Sequence, residues 1–235
     1  MALVTGASRG IGSKIAEDLS SKGVFVWINY SRDVEGAKNT RDIIKDNGGE
    51  CELIKADVSD YEQVEEMLKQ ITQKHSYIDI LVNNAGIVKD KKIANMDKQM
   101  WEDVINVNLN GMFYVTKVAL PFIPKGGNII NISSLSARVC VFGQANYASA
   151  KAGMNAFTKV ASKELGMHGI RVNAISPGFI ETSFIGGIPD KLMKMSLELI
   201  PLGRVGKVED VSSAVIFILG NNYINGEILE IGGGL

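Results

Sequence analysis

The stretch Met1-Ala2-Leu3-Val4-Thr5-Gly6-Ala7-Ser8-Arg9-Gly10-Ile11-Gly12 decides the fold. An apolar run long enough for a short strand ends in a turn with three glycines. Ile11, Ile15 and Leu19 then recur at helical spacing, so Gly10 to Lys22 reads as a helix. Glycines in such a turn let backbone N–H groups close on an anion, and the helix N-terminus adds a partial positive charge. The spacing is GxxxGxG rather than GxGxxG. An ordinary glycine-rich turn has the same composition, so the context on either side carries the weight.

Outward from this turn, strand-length apolar runs alternate with amphipathic stretches. Strands are expected at 24–29, 51–55, 80–82, 128–132, 170–175 and 227–231. Helices are expected at 37–47, 61–74, 101–120, 147–166 and 207–219, with Pro121 and Pro124 stopping the helix at 101–120 and Gly166 the helix at 147–166. Near-continuous apolar strands belong to a parallel sheet covered on both faces. The expectation is an α/β fold: a single Rossmann-type doubly wound parallel sheet of about seven strands with helices on both faces. Residues 1–235 then form one NAD(P)-binding domain. The segment 179–202 interrupts the alternation with Gly186, Gly187, Pro189 and Pro201 and many Met and Leu residues. It reads as a substrate lid, or else as a helical excursion that only packs.

Bulk composition narrows the function. Of 235 residues 46% are hydrophobic, enough for a large core, and the net charge of −1 argues against a nucleic-acid or membrane-surface partner. No apolar run approaches the roughly 18–20 residues that span a bilayer. No secretory signal is recognisable at residues 1–6, and two cysteines make no disulfide framework, so a cytoplasmic protein is expected. His75 and His168 lie far apart without clustered acidic or cysteine partners, so no metal site is expected.

The C-terminal ends of the strands hold the candidate cofactor residues. In the glycine turn these are Gly6, Ser8, Arg9, Gly10, Ile11 and Gly12. After the second strand, where an NAD binder usually places a carboxylate, stand Asn29, Tyr30, Ser31 and Arg32. Two guanidinium groups with Asn and Ser donors suit a ribose 2′-phosphate, so NADPH/NADP+ is expected, although Arg32 also reads as a solvated loop charge. Asp57 and Val58 follow the third strand, Asn84, Ala85 and Gly86 the fourth, and Pro177 and Gly178 the sixth.

Tyr147-Ala148-Ser149-Ala150-Lys151 places a phenol and an ammonium on one helix face. A neighbouring cation favours phenolate and lowers the tyrosine pKa, as a general acid near neutral pH requires. The pair alone is equally a packed ring with a lysine snorkelling beside it. Together with Thr5–Gly12, Asn83–Gly86, Asn108, Ser134 and Pro177-Gly178, in that order, it resembles the short-chain dehydrogenase/reductase family over essentially the whole chain. Within that family, Gly143-Gln144-Ala145-Asn146-Tyr147 and Pro177-Gly178-Phe179-Ile180-Glu181-Thr182 are most similar to the branch of 3-oxoacyl-(acyl-carrier-protein) reductases.

The resemblance implies roles by position. Tyr147 protonates the carbonyl oxygen, Ser134 steadies it, Lys151 holds the nicotinamide ribose and lowers the Tyr147 pKa, and Asn108 anchors a proton-relaying water. Asn106 and Ser133 are near neighbours that spacing disfavours, and a cap or turn bond is the plain alternative for Asn108 and Ser134. Ile180 and Thr182 match positions at the nicotinamide end. The substrate is implied to meet Ser134, Leu135, Ser136, Gln144, Tyr147, Gly178, Phe179 and Phe184. The implied activity is NADPH-dependent reduction of a 3-oxoacyl thioester, on acyl carrier protein or coenzyme A, by a homotetramer with a dimer as the alternative. The apolar lid residues Phe184, Ile185, Ile188, Leu192 and Met193 suit an acyl chain better than a polyol. A polyketide, small ketone or other alcohol is the alternative substrate, and a non-catalytic nucleotide-binding regulator the remote one. Here the chain departs from the family: the stretch 121–128 is about two residues short, and of the basic residues that the resemblance implies for an acidic carrier only Lys125 is left there, with His168 at the second position, which counts against carrier docking but not against reduction.

Overall fold

Successive strand residues face opposite sides of the sheet, and the chain uses that alternation throughout. In the computed structural model, which describes residues 1–182 and 197–235, Ala2 and Val4 of β1 (Ala2–Val4) face one helical layer and Leu3 the other. The layer beside Ala2 is built from α1 (Gly10–Ser20), α2 (Val34–Asp46) and α8 (Val208–Gly220), with Ile15, Leu19, Ile44, Val211, Val215 and Ile218 inward. The layer beside Leu3 is built from α3 (Tyr61–Lys74), α5 (Gly111–Ala119) and α7 (Ala145–Gly166), with Val64, Met67, Leu68, Ile71, Val115 and Ala161 inward. Full burial of one such aliphatic side chain stabilises by about 1.5–3 kcal/mol, so these two interfaces hold the fold.

Between the layers lie β1, β2 (Val26–Tyr30), β3 (Cys51–Lys55), β4 (Ile80–Asn83), β5 (Asn128–Ile132), β6 (Arg171–Pro177) and β7 (Ile228–Ile231). Among the described residues they form one parallel sheet in the order β3-β2-β1-β4-β5-β6-β7. The chain runs outward from β1 to β3, then returns to place β4 on the other side of β1. Connections therefore diverge beyond the carboxyl ends of β1 and β4, and a crevice opens there.

Helix starts carry the expected chemistry. The carboxylates of Asp33, Asp60 and Asp97 accept from the N–H groups of Gly36, Gln63 and Met100 and cap α2, α3 and α4 (Lys98–Ile105). Each such cap stabilises by about 1 kcal/mol. Asp33 starts α2 three residues before the position expected from the apolar pattern, because that pattern does not report the polar first turn. At the far end of α8, Arg171 donates to the carbonyls of Ile218, Leu219 and Ile224.

The helix expected at 101–120 differs most. It begins at Lys98 and is divided by a π turn at Asn106–Asn110. The Asn108 carboxamide causes the division: Nδ2 donates to the Val104 carbonyl one turn back and to the Ile87 carbonyl, both at 2.9 Å. A side-chain donor that takes a helical carbonyl widens the turn. A short α6 (Ser136–Val139), which the pattern of four residues could not announce, follows β5.

Candidate active site

A cleft of about 580 Å3 runs along the carboxyl ends of the strands. The glycine turn forms one end. Gly6 has a positive φ of 60°, and a Cβ there would stand 2.7 Å from the Ala85 Cα. A Cβ on Gly12 would meet Asn84 Nδ2 at 2.4 Å, so the loops after β1 and β4 touch only because both glycines lack side chains. Thr5 and Asn84 join them: the Thr5 hydroxyl accepts from the N–H groups of Asn84 and Ala85, and Asn84 Nδ2 donates to the carbonyls of Thr5 and Gly6. The N–H groups of the turn are thereby held beside the start of α1.

At the other end stand Ser134, Tyr147 and Lys151. α7 starts where the fully buried Asn146 accepts the Tyr147 N–H through Oδ1 and donates to the carbonyls of Lys89 and Met100. One turn on, Lys151 is buried, with Nζ 2.7 Å from the Ile132 carbonyl and 5.6 Å from the centre of the Tyr147 ring. Ser134 follows β5, and its Oγ accepts from the Ser136 N–H at 3.1 Å.

The electrostatics differ from the sequence expectation. Burial pushes the Tyr147 phenol up to about 12; a hydrogen bond with Ser134 acts in the opposite direction, and the Asp90 carboxylate adds to the rise. Burial lowers the Lys151 ammonium to about 7. Desolvation disfavours the charged form of each group and outweighs the depression of the phenol expected from the lysine.

The cleft fits a dinucleotide on three counts. Gly6 and Gly12 leave no room for side chains, the N-terminus of α1 faces the crevice, and the carboxyl ends of β1, β2 and β4 line it. Arg9, Ser31 and Arg32 line the end beyond β2. Among the described residues no group of three or more His, Cys, Asp or Glu side chains is placed to hold a metal.

A family model described as Enoyl-(Acyl carrier protein) reductase matches residues 6–235. The 3-oxoacyl-[acyl-carrier-protein] reductase FabG of Staphylococcus aureus is 40% identical over 238 residues, which cover 100% of this chain and 97% of that protein. The Vibrio cholerae protein of the same name is 40% identical over 239 residues, 100% of this chain and 96% of its own. A crystal structure assigned as a short-chain alcohol dehydrogenase of Sinorhizobium meliloti 1021 superposes with a TM-score of 0.94 at 33% identity, covering 99% of this chain and 94% of the other. The chain belongs to the short-chain dehydrogenase/reductase family. It is an oxidoreductase acting on CH–OH and C=O groups.

Most residues singled out from the sequence line the cleft of this short-chain dehydrogenase/reductase. Gly6, Ser8, Arg9, Gly10, Ile11, Tyr30, Ser31, Arg32, Asp57, Val58, Asn84, Ala85 and Gly86 do so on the glycine-turn side. Ser134, Tyr147, Lys151, Pro177, Gly178, Ile180 and Thr182 do so at the other end. Gly12 and Asn108 lie one layer beneath, against Asn84 and Gly86. Asn29 lines the cleft but its carboxamide is engaged: Oδ1 accepts from the Gly6 N–H, and Nδ2 donates to the Ala56 carbonyl. It shapes the turn instead of offering a donor to a phosphate.

The expected substrate side is less complete. Leu135, Ser136, Gln144 and Phe179 lie off the cleft lining, with Ser136 Oγ donating to Gln144 and Gln144 to Asp90. Phe184 and most of the expected lid lie outside the described residues. Sequence reasoning missed Asn146, whose signal was only a polar residue before the tyrosine. It also missed Asp33, which lines the cleft 3.6 Å from Arg9. Ser133 and Asn106, the disfavoured neighbours, line the cleft too, but Ser133 Oγ donates to the Lys151 carbonyl and Asn106 Oδ1 accepts from Asn110.

Proposed function

We propose that the chain reduces a 3-oxoacyl thioester, carried on acyl carrier protein or coenzyme A, to the 3-hydroxyacyl thioester with NADPH. The observation that carries this reading is the convergence of Ser134, Tyr147 and Lys151 at one end of a cleft whose other end is the glycine turn. When bound, the reduced nicotinamide supplies the hydride. Ser134 donates a hydrogen bond to the carbonyl oxygen and steadies its developing charge. Tyr147 passes its phenolic proton to that oxygen, so the carbonyl ends as a hydroxyl. A phenol near 12 arrives at this step fully protonated, and Lys151, near 7 and so only partly charged at neutral pH, favours the phenolate left behind where it holds its proton. Lys151 holds the ribose, and Asn108 holds the π turn beneath Gly86, where its free Oδ1 anchors a water on the proton path. A hydride and a proton are thus added across one C=O bond.

The thioester assignment is supported by the names of the S. aureus and V. cholerae relatives. NADPH is supported by Arg9 and Arg32 at the ribose end, as a guanidinium pairs well with phosphate oxygens. A carrier protein is supported by the names of the same relatives; Lys125 and His168, both exposed, are the basic positions left to meet it. The tetramer is supported by Trp101, Phe113 and Val160, large apolar side chains exposed on α4, α5 and α7. The segment 179–202 acts as the substrate lid of a single domain. The exposed free thiol of Cys140 suits a reducing cytoplasm.

The test is NADPH consumption with acetoacetyl-CoA, run beside NADH and a Tyr147→Phe variant. Turnover with NADPH, weak use of NADH and loss of activity in the variant support the reading. A wild-type protein that binds NADPH but leaves the thioester untouched refutes the thioester and directs the search to other ketones and polyketides.

A further inference from the structure

The segment that carries Ser134 is held from the far edge of the sheet by one arginine. Arg138, on α6, donates from Nε to Oε1 of Glu230 at 2.8 Å and from Nη2 to Oε2 at 3.1 Å; Nη2 also reaches the Leu235 oxygen at 3.0 Å. Glu230 belongs to β7, the edge strand, so this fork ties the stretch after β5 to the chain beyond β7.

Two further attachments hold the same stretch. The Leu135 N–H donates to the Pro177 carbonyl at 2.9 Å. The Leu135 side chain fills a notch over Gly232, where a Cβ would stand 2.3 Å from Leu135 Cδ1. Ser134 sits at the head of this clasped stretch, and the Ser136 N–H bonded to its Oγ belongs to the first residue of α6. Displacing α6 therefore moves the donor that orients the serine hydroxyl beside Tyr147.

Stability does not account for the pair. The two side chains are 57% and 41% exposed, and exposed ion pairs stabilise a fold little. What a two-pronged guanidinium–carboxylate contact does supply is a fixed orientation.

We infer that Arg138, held by Glu230, is a positioning residue that sets the Ser134 hydroxyl against Tyr147; this rests on the reading of Ser134 and Tyr147 as the reacting pair. The experiment measures kcat, both KM values and the melting temperature for Arg138→Gln, Glu230→Gln, the charge-swapped double variant Arg138→Glu/Glu230→Arg, and Ser134→Ala. Each single variant at the ion pair is expected to lower kcat about tenfold, as small misplacements of reacting groups do. The KM for NADPH stays unchanged and the melting temperature stays within about 3 °C of wild type. The swap restores most of kcat. A kcat within about twofold of wild type in Arg138→Gln, a loss that follows melting temperature, or no recovery in the swap overturns the positioning role. Wild-type turnover in Ser134→Ala overturns instead the reading on which the role rests.

Discussion

Lys151 Nζ donates to the carbonyl of Ile132, the last residue of β5, at 2.7 Å, and through it the helix carrying Tyr147 is pinned to the strand that leads to Ser134. The bond joins two elements that the chain brings together only in space. It also places an amine in an interior where its charge is disfavoured.

That burial makes stability depend on pH with a definite sign. The folded Lys151 sits near 7, below its ordinary 10.5, so between those values the unfolded chain holds a proton that the folded chain has released. Stability from this group therefore rises as pH climbs from 7 to 10.5, and the full cost of burying the charge is present below 7. A Lys151→Met variant escapes that cost. Its stability advantage over wild type in urea unfolding should be largest below pH 7 and shrink by about 1.4 kcal/mol per pH unit above it. The rise of Tyr147 to about 12 acts in a separate window, removing stability only above pH 10. A difference between variant and wild type that is flat from pH 6 to 9 would sink the buried-amine account.

Asn108→Ala strips the donor from the buried carbonyls of Val104 and Ile87. Leaving such groups unpaired costs about 1–3 kcal/mol. The variant should melt earlier and lose kcat, since the π turn lies directly beneath Gly86 on the cleft wall. Calorimetry that shows an unchanged melting temperature counts against this reading of the turn.

Arg9 and Arg32 are expected to decide between the two nicotinamide cofactors. Arg9→Ala/Arg32→Ala should raise the KM for NADPH about 10- to 100-fold, the size of one or two charge-assisted hydrogen bonds. The KM for NADH should barely move. Equal changes for both cofactors would show that these side chains do not meet a 2′-phosphate.

A buried polar chain crosses the sheet below the cleft. Asn83 Nδ2 donates to Thr116 and to Asn131 Oδ1, and Asn131 Nδ2 donates to Thr158 on α7. Asn131→Leu keeps the volume and removes the middle link, so it should destabilise by about 2–3 kcal/mol, more than a surface Asn substitution. Chemical denaturation that gives less than about 0.5 kcal/mol would mean that the chain relaxes around the loss.

Much of the site was legible without coordinates because its signals are local. Gly6, Gly10 and Gly12 are read from one turn, and Tyr147 and Lys151 from one turn of helix. Asn108 was legible only through the family pattern, since no local rule gives an asparagine inside a helix that task. Asn29 shows the limit: standing at the end of β2 marked it for the cleft, but only the packed loops show its amide bonded to Gly6 and Ala56. The expected lowering of the Tyr147 pKa failed for a similar reason. Spacing tells which charges are near, whereas burial depends on every element that closes over the group.

The sequence by itself determined the alternation of strands and helices and the glycine turn. These follow from side-chain periodicity and backbone sterics, which act over a few residues. Only the tertiary structure decided that α4 and α5 part at a π turn, that Lys151 is buried and bonded to Ile132, and that Arg138 reaches Glu230 across 92 positions of chain. Those are contacts between segments distant in sequence, and they exist only once the sheet order has brought the segments together.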